Sequence, residues 1–346
     1  MWKDRRVFVT GATGLVGSWL IKQLLELGTH VVVLVRDWDP QTELIRSGDM
    51  TRTTVVNGGL EDFGVLQRAI NDHGTDTIFH LGAQALVGPA YRSPLPTFES
   101  NIRGTYNLLE ASRLFPTVVR RMVVASSDKA YGHVAELPYT EDMPANGRHP
   151  YDVSKSCMDL LAMTYATSYG LPVTIARCGN IYGGADLNWS RIVPGTIRSL
   201  GEEQNPLIRS DGKMTRDYIY VKDVVSAYLT LAEKAAEPGI TGEAFNFSVG
   251  KPRSVLEVTE ILQRLMGRPD LEPIILNEAK AEIYDQYLDS TKAQIVLNWQ
   301  PTYTFEEGLE ETITWYEEFL TAGGVLRGNK GVTPTLKGVT FENDTV

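Results

Sequence analysis

The chain has 346 residues and a formal net charge of −10, with 42% hydrophobic and 22% charged residues. This composition excludes a disordered chain, and the length favours one large domain or two lobes. The negative charge disfavours nucleic-acid binding, because the surface repels phosphate backbones. Two cysteines, Cys157 and Cys178, disfavour a secreted disulfide scaffold, and neither has the partners of a metal site. The N-terminal apolar run, Val7 to Val9, is too short for a signal peptide or a membrane span, so we expect a cytoplasmic protein without membrane contact.

The first 130 residues alternate short apolar runs with segments of helical spacing. Continuous Val and Ile runs are typical of strands buried on both faces, and strands alternating with helices predict βαβ units. We therefore expect an α/β fold built on a Rossmann-type, doubly wound parallel sheet. The predicted strands are 6–10, 31–35, 77–81 and 121–125, and the predicted helices are 15–27, 65–71 and 106–115.

Beyond residue 180 this alternation weakens, and a loop-like stretch at 185–191 follows Gly183 and Gly184. We expect a smaller C-terminal lobe here, followed by a flexible tail at 331–346, where the sequence is polar and lacks helical periodicity. The predicted helices of this half are 193–200, 221–234, 254–266 and 305–322, and the predicted strands are 244–248 and 272–276.

Three glycines follow the first predicted strand and precede the first predicted helix. Gly11 allows a tight turn, Gly14 allows the backbone to approach a pyrophosphate, and Gly17 allows the helix to pack on the strand. The helix N-terminus then offers free N–H groups and the positive end of its dipole to phosphate. This strand–loop–helix context predicts a dinucleotide site.

The end of the second predicted strand bears on the choice between NAD and NADP. Asp37 lies 20 residues after Gly17, near the position expected for an acid that binds the ribose of NAD. The neighbouring Arg36 could instead accommodate the 2′-phosphate of NADP. We favour NAD, with NADP as the alternative.

A tyrosine and a lysine stand four residues apart at Tyr151 and Lys155 and would share one face of a helix. An adjacent ammonium is expected to lower the pKa of the phenol, so that Tyr151 could take a proton from a hydroxyl group. Ser127 follows the predicted strand 121–125, at the sheet edge where open α/β sheets bind ligands.

Together, the glycine spacing, Asn101, Ser127 and the Tyr151–Lys155 pair resemble an extended short-chain dehydrogenase/reductase of the NAD-dependent epimerase/dehydratase family, over roughly residues 5–322. The resemblance implies a catalytic triad of Ser127, Tyr151 and Lys155, with Lys155 also holding the nicotinamide ribose. It implies that Asn101 supports the site. Further cofactor contacts are expected at Thr13, Leu15, Val16, Leu60, Leu81 and Ala83.

The two residues after Ser127 differ between members of that family that catalyse different reactions. Sugar 4-epimerases generally have small residues there, whereas this chain has Asp128 and Lys129, which resembles the CDP-glucose 4,6-dehydratase branch. The resemblance implies that Asp128 assists loss of the 6-hydroxyl as water and that Lys129 stands where relatives have the C5 base. We therefore expect a nucleotide-sugar 4,6-dehydratase, with a nucleotide-sugar 4-epimerase as the alternative. A catalytically idle dinucleotide sensor is disfavoured, because the triad is complete.

A nucleoside-diphosphate sugar is the expected partner, and its anionic charge calls for basic residues in the cleft. The resemblance suggests four substrate contacts: Gln84, Asn180, Arg191 and Arg216. Gly59 departs from the family, which usually has aspartate at this adenine contact.

The expected division of the chain is a dinucleotide-binding domain at 1–180, to which some later segments return, and a substrate-binding lobe at 181–330. The resemblance also implies a homodimer formed through helices at about 97–114 and 151–169.

Overall fold

A computed structural model describes residues 1–278 and 283–322; the tail predicted at 331–346 lies outside these ranges. The strands are β1 Arg6–Thr10, β2 His30–Val35, β3 Thr54–Asn57, β4 Thr77–His80, β5 Arg121–Ala125, β6 Val173–Cys178, β7 Asn180–Tyr182, β8 Leu207–Ile208, β9 Thr215–Arg216, β10 Tyr218–Tyr220, β11 Ala244–Phe247, β12 Arg253–Ser254, β13 Ile274–Ile275 and β14 Asp285–Gln286. The α-helices are α1 Leu15–Glu26, α2 Glu43–Arg46, α3 Phe63–Asn71, α4 Val87–Arg92, α5 Pro94–Phe98, α6 Gly104–Arg113, α7 Pro150–Tyr169, α8 Ile192–Gly201, α9 Val221–Lys234, α10 Val255–Leu265, α11 Thr291–Leu297 and α12 Phe305–Ala322.

Seven parallel strands form the large sheet, in the order β11-β6-β5-β4-β1-β2-β3. The chain winds outward from β1 in one direction to β3 and then in the other direction from β4, so the order reverses between β1 and β4. Thr10 and His80 are register partners at this switch point. Open α/β sheets bind ligands at the carboxyl ends of the strands where the order reverses.

The two faces of the large sheet carry separate apolar cores. Helices α1 and α9 cover one face, where Leu20 and Val224 are fully buried. Helices α3, α6 and α7 cover the other, where Leu66, Leu108 and Met158 are fully buried. Burial on both faces explains why the central strands read as continuous apolar runs.

The C-terminal half divides between the large sheet and a smaller lobe. Strand β11 joins the large sheet beside β6, and helix α9 packs on α1 at one face of that sheet. The lobe has its own core, in which α8, α10 and α12 meet. Three short sheets accompany it: β10-β7, β12-β9-β14 and β13-β8.

The predicted strands at 6–10 and 121–125 and the predicted helices at 221–234 and 305–322 have the observed bounds, and the other predicted elements differ by one to three residues. A π-helical segment, Glu99–Arg103, leads into α6, which starts at Gly104 rather than at the predicted residue 106. Strand β3 was not predicted, because three of its four residues are exposed and it lies at the sheet edge. None of the described helices has the length and apolar character needed to cross a membrane.

Candidate active site

A cleft of about 570 Å³ lies at the carboxyl ends of the large-sheet strands, and the small lobe contributes β7, β10 and the start of α8 to its wall. Most predicted site residues meet there. Those that line it are Gly11, Thr13, Gly14, Leu15, Val16, Gly17, Arg36, Asp37, Leu60, Leu81, Ala83, Ser127, Asp128, Lys129, Tyr151, Lys155, Asn180 and Arg191.

The glycine loop presents bare backbone to the cleft. Gly11 has φ of 71°, and a Cβ there would lie 2.7 Å from the backbone of Leu81 and Gly82. A Cβ at Gly17 would collide with the Gly11 carbonyl oxygen and lie 2.9 Å from the Cα of Ala12. Helix α1 starts directly after Gly14, and its first N–H groups have no acceptor within the helix. This cradle fits the pyrophosphate of a dinucleotide.

A buried histidine fixes this loop against the neighbouring strand. His80 bridges the hydroxyls of Thr10, at 2.8 Å, and Thr105, at 2.9 Å. The Thr10 hydroxyl also accepts from the Gly82 N–H at 3.0 Å. Burial, together with the charge of Lys155, lowers the pKa of His80 to about 3, so the imidazole is neutral at physiological pH. Sequence reasoning did not single out this residue, because a lone histidine at a strand end carries no local signal.

Arg36 and Asp37 form an ion pair just past the end of β2, with Nε and Oδ2 2.7 Å apart. Both side chains line the cleft and are largely exposed. The residue that favours NADP, Arg36, is therefore paired with the residue that favours NAD, Asp37, and the carboxylate neutralises the guanidinium. Nearby, Leu60 is buried against Gly82 and Gly104 and forms part of the cleft wall, with Gly58 and Gly59 beside it.

The acid and base candidates stand on a single 3₁₀ turn, Asp128–Tyr131, directly after β5. The Ser127 hydroxyl donates to Asp128 Oδ1 at 2.9 Å and accepts from the Lys129 N–H at 3.2 Å. Asp128 is 1% exposed, and no described residue donates to its second oxygen, Oδ2. Lys129 Nζ donates to Gln286 Oε1 on β14. Ser127, Asp128 and Lys129 thus line the cleft side by side.

Tyr151 and Lys155 lie on the first turns of α7, as their spacing predicts. The pKa of Tyr151 is raised to about 12 rather than lowered: burial is the main cause, the charges of Asp128 and Asp152 add to it, and Arg191 and a hydrogen bond with Ser127 oppose it. The expectation of a lowered pKa is therefore wrong, because desolvation of the buried phenol outweighs the effects that favour the phenolate.

Lys155 is itself buried. Its Nζ donates to the Ala125 carbonyl at 2.8 Å and lies 5.9 Å from the centre of the Tyr151 ring. Burial lowers the pKa of Lys155 to about 8, against the opposing charge of Asp159. In the absence of ligands, the ammonium is therefore close to its titration point at neutral pH.

Asn101 supports the site from behind. Its Oδ1 accepts from the Gln84 N–H at 2.7 Å, and its Nδ2 donates to the Gln84 carbonyl at 3.1 Å and to Ser154 Oγ at 2.9 Å. This amide therefore ties the segment after β4 to the helix that carries Tyr151. Gln84, predicted as a substrate contact, is held through its backbone and does not line the cleft.

The predicted phosphate ligands occupy two different environments. Arg191 lies at the N-cap of α8, lines the cleft and pairs with Asp186 at 2.9 Å. Arg216 is 5% exposed, donates to the carbonyls of Thr215 and Tyr284 at 2.8 and 2.7 Å, and does not line the cleft. Asn180 lines the cleft, and its N–H donates to the Asp217 carbonyl at 2.7 Å.

Several residues that line or support the cleft were not predicted as site residues. Cys178, Asp186, Tyr218 and Tyr228 line it. Tyr218 stands two residues after Arg216, a predicted substrate contact, so its position could have been inferred. Gln286 lies 157 residues from Lys129 and has no local signal. Within the described ranges, no group of three or more His, Cys, Asp or Glu side chains could hold a metal ion.

Comparison with known proteins agrees with this geometry. The profile of a family described as GDP-mannose 4,6 dehydratase matches residues 8–312. A CDP-glucose 4,6-dehydratase of Salmonella typhimurium is 29% identical over 342 residues, which cover 94% of each chain. A UDP-glucose 4-epimerase of Halalkalibacterium halodurans is 29% identical over 329 residues, which cover 90% of this chain and 96% of the relative.

A solved dTDP-glucose 4,6-dehydratase from Streptomyces venezuelae, with NAD bound, superposes with a TM-score of 0.82 at 28% identity, over 92% of this chain and 98% of that one. This extensive similarity accompanies the glycine cradle, the triad and the seven-stranded sheet. The chain therefore belongs to the GDP-mannose 4,6-dehydratase family, within the extended short-chain dehydrogenase/reductases of the epimerase/dehydratase type.

Proposed function

We propose that the protein is an NAD-dependent nucleotide-sugar 4,6-dehydratase that forms a 4-keto-6-deoxy sugar, with CDP-glucose as the first candidate substrate. The observation that carries the proposal is the position of Asp128 and Lys129. They line the same cleft as Ser127, Tyr151 and Lys155, so an acid and a base stand beside a dehydrogenase triad. A 4-epimerase needs only the triad.

The cofactor fits the residues at one end of the cleft. The glycine cradle and the start of α1 would hold the pyrophosphate, and Asp37 would accept a hydrogen bond from the adenosine ribose. Lys155, about one helical turn after Tyr151 on α7, would donate to the nicotinamide ribose. Bound NAD supplies an acceptor for the C4 hydride and a donor for the hydride that returns to C6.

Tyr151 is the group that would take the proton from the 4-hydroxyl as C4 becomes a ketone. With a pKa of about 12, its phenol needs help to act at neutral pH. Arg191 and the Ser127 hydroxyl already favour the phenolate. The Ser127 hydroxyl could turn its one proton from Asp128 to the oxygen on C4 and so fix the sugar against the phenol.

The elimination would follow from the 4-ketone, which makes the C5 hydrogen acidic. A neutral Lys129 amine takes the C5 proton, the C5–C6 double bond forms, and the 6-hydroxyl leaves as water with a proton from Asp128. The acid and the base are neighbours on one rigid turn, so both can face the same short segment of the sugar.

Binding of the nucleotide diphosphate falls to the small lobe. Arg191 lines the cleft and could exchange its bond with Asp186 for phosphate oxygens. Asn180 stands on the same wall. Arg216 remains a proposed contact that would have to rotate toward the cleft, because its guanidinium now bonds backbone carbonyls.

The direct test is to incubate the protein with CDP-, dTDP-, GDP- and UDP-hexoses and to measure the product masses. Loss of one water from one of them, with no net consumption of NAD, is the expected result. A product of unchanged mass and altered stereochemistry would select the 4-epimerase, which the similarity to UDP-glucose 4-epimerases supports as the second candidate. Neither change with any substrate would contradict the proposal.

We also propose a homodimer formed through α6 and α7, which pack against each other. Three large apolar side chains on these helices are exposed in the single chain: Tyr106 by 40%, Leu160 by 55% and Met163 by 39%. A second copy of this surface would cover them and form a four-helix interface.

A further inference from the structure

Lys129, the proposed C5 base, contacts a side chain from a distant part of the chain. Its Nζ donates to the Oε1 atom of Gln286, the second residue of the two-residue strand β14. Gln286 is fully buried, whereas Lys129 is half-buried and lines the cleft. A buried amide therefore fixes the end of a long, flexible side chain in the cleft. We propose that Gln286 is a positioning residue that holds the Lys129 amine for removal of the C5 proton; this inference rests on the proposed dehydratase function.

The chemistry of an amide suits this task. Both an amine and an ammonium carry N–H groups, so Oε1 can accept a hydrogen bond from Lys129 in either protonation state. The amide has no charge and does not hold the proton on the base. A carboxylate at the same place would raise the pKa of Lys129 and keep it protonated at neutral pH. Glutamine thus fixes the direction of the side chain without reducing the fraction of the amine that is free to take a proton.

The strand that carries Gln286 is firmly held. Gln286 is the register partner of Arg216 on β9, and Asp285 is the partner of Thr215, whose hydroxyl donates to Asp285 at 2.6 Å. Arg216 also donates to the Tyr284 carbonyl. The other end of the Gln286 amide, Nε2, is buried without a hydrogen-bond partner among the described residues, and the neighbouring Tyr139 phenol donates to the Gly132 carbonyl at 2.7 Å.

This arrangement links the base to the predicted diphosphate ligand. Arg216 and Gln286 lie side by side on paired strands, so a substrate phosphate that moved Arg216 would act on the strand that positions Lys129. Two carboxyl groups face Lys129: Asp152 on α7, whose pKa is raised by burial against the opposing charge of Lys129, and Asp128 on the same turn. Substitution of Gln286 leaves both in place.

The test compares Gln286→Met with Asp285→Asn in the full-length protein with NAD. Methionine keeps an unbranched side chain of similar size and removes the acceptor, whereas Asp285 contacts Thr215. We expect Gln286→Met to lower kcat for water loss by about 10- to 100-fold, the range for a misplaced catalytic group, with KM within about threefold. Exchange of solvent deuterium into C5 should slow by the same factor, while oxidation at C4, followed as nicotinamide absorbance in a single turnover, should keep its rate. Asp285→Asn should behave as wild type in all three measurements.

A second variant, Gln286→Glu, tests the inference even if Gln286→Met fails to fold. Gln286→Glu keeps the oxygen acceptor and adds a negative charge, so the ascending limb of the rate of water loss against pH should move upward by at least about half a unit. An unchanged pH profile would overturn the inference, as would a Gln286→Met variant within twofold of wild type or one that slows C4 oxidation and water loss equally. If wild type removes water from no sugar nucleotide, the proposed function fails; if wild type dehydrates and the variants match it, only the role of Gln286 fails.

Discussion

Replacement of Asp128 by asparagine tests the step that separates a dehydratase from an epimerase. Asparagine has nearly the same volume, and its Oδ1 can still accept the 2.9 Å hydrogen bond from Ser127, so the turn should remain folded. The amide has no proton to give to the leaving 6-hydroxyl. General acid catalysis contributes about 10²- to 10⁴-fold, which corresponds to about 2.7–5.4 kcal/mol in the barrier to water loss.

The first step should not slow in the same variant. The variant leaves Ser127, Tyr151 and Lys155 unchanged, and these are the residues proposed for oxidation at C4. We therefore expect C4 oxidation at about the wild-type rate, followed by accumulation of the 4-keto hexose with its 6-hydroxyl still in place.

The assay is a single-turnover reaction, stopped at intervals and analysed by mass for the product that has lost water and by nicotinamide absorbance for C4 oxidation. Tyr151→Phe is the matched control, because removal of the phenol should suppress both steps. Water loss by Asp128→Asn within about tenfold of wild type would refute the role of Asp128 as the acid. Equal losses in both steps would show that the residue serves the whole site rather than the elimination.

Three further predictions concern the cofactor site, the triad and the assembly. In the cofactor-free protein, burial lowers the pKa of Lys155 to about 8, against 10.5 in an unfolded chain, so between pH 8 and 10.5 the unfolded chain binds more protons. In that range the free energy of unfolding of wild type, measured with urea, should rise with pH relative to Lys155→Met by up to about 1.4 kcal/mol per pH unit. Parallel plots of the unfolding free energy against pH for the two proteins would contradict the burial of the ammonium. Gly17→Ala drives a Cβ toward the Gly11 carbonyl and should destabilise the protein by about 1–3 kcal/mol and weaken NAD binding, measured by thermal unfolding with and without NAD. The milder contact at Gly14, 3.3 Å from the same oxygen, makes Gly14→Ala the control for stability in the measurement without NAD. Leu160→Glu places a charge on the exposed face of α7 and should convert a dimer to a monomer in light scattering without altering the fold, whereas a wild-type monomer would refute the proposed interface.

The sequence pattern predicted the elements whose conformation depends mainly on neighbouring residues. Strand 6–10 and the glycine loop followed from an apolar run and from glycines whose backbone conformation or close approach admits no side chain, and the structure confirms both. The periodicity of α9 and α12 was strong enough to give their bounds. Strand β3 escaped prediction because an exposed edge strand of four residues lacks both an apolar run and a clear alternation.

Burial and long-range pairing decided the rest. The spacing of Tyr151 and Lys155 predicted their shared helix, but the direction of the Tyr151 pKa shift depends on how much protein surrounds the phenol, which spacing does not express. Likewise, Arg36 considered alone favours NADP and Asp37 considered alone favours NAD, whereas in the structure the two side chains form an ion pair. The return of β11 to the large sheet and the contact between Gln286 and Lys129 join residues far apart in the chain. The sequence by itself determined which chemical groups this protein has and the loop that can hold a dinucleotide; only the tertiary structure decided which of those groups meet, and how far from water, because both depend on packing between distant segments.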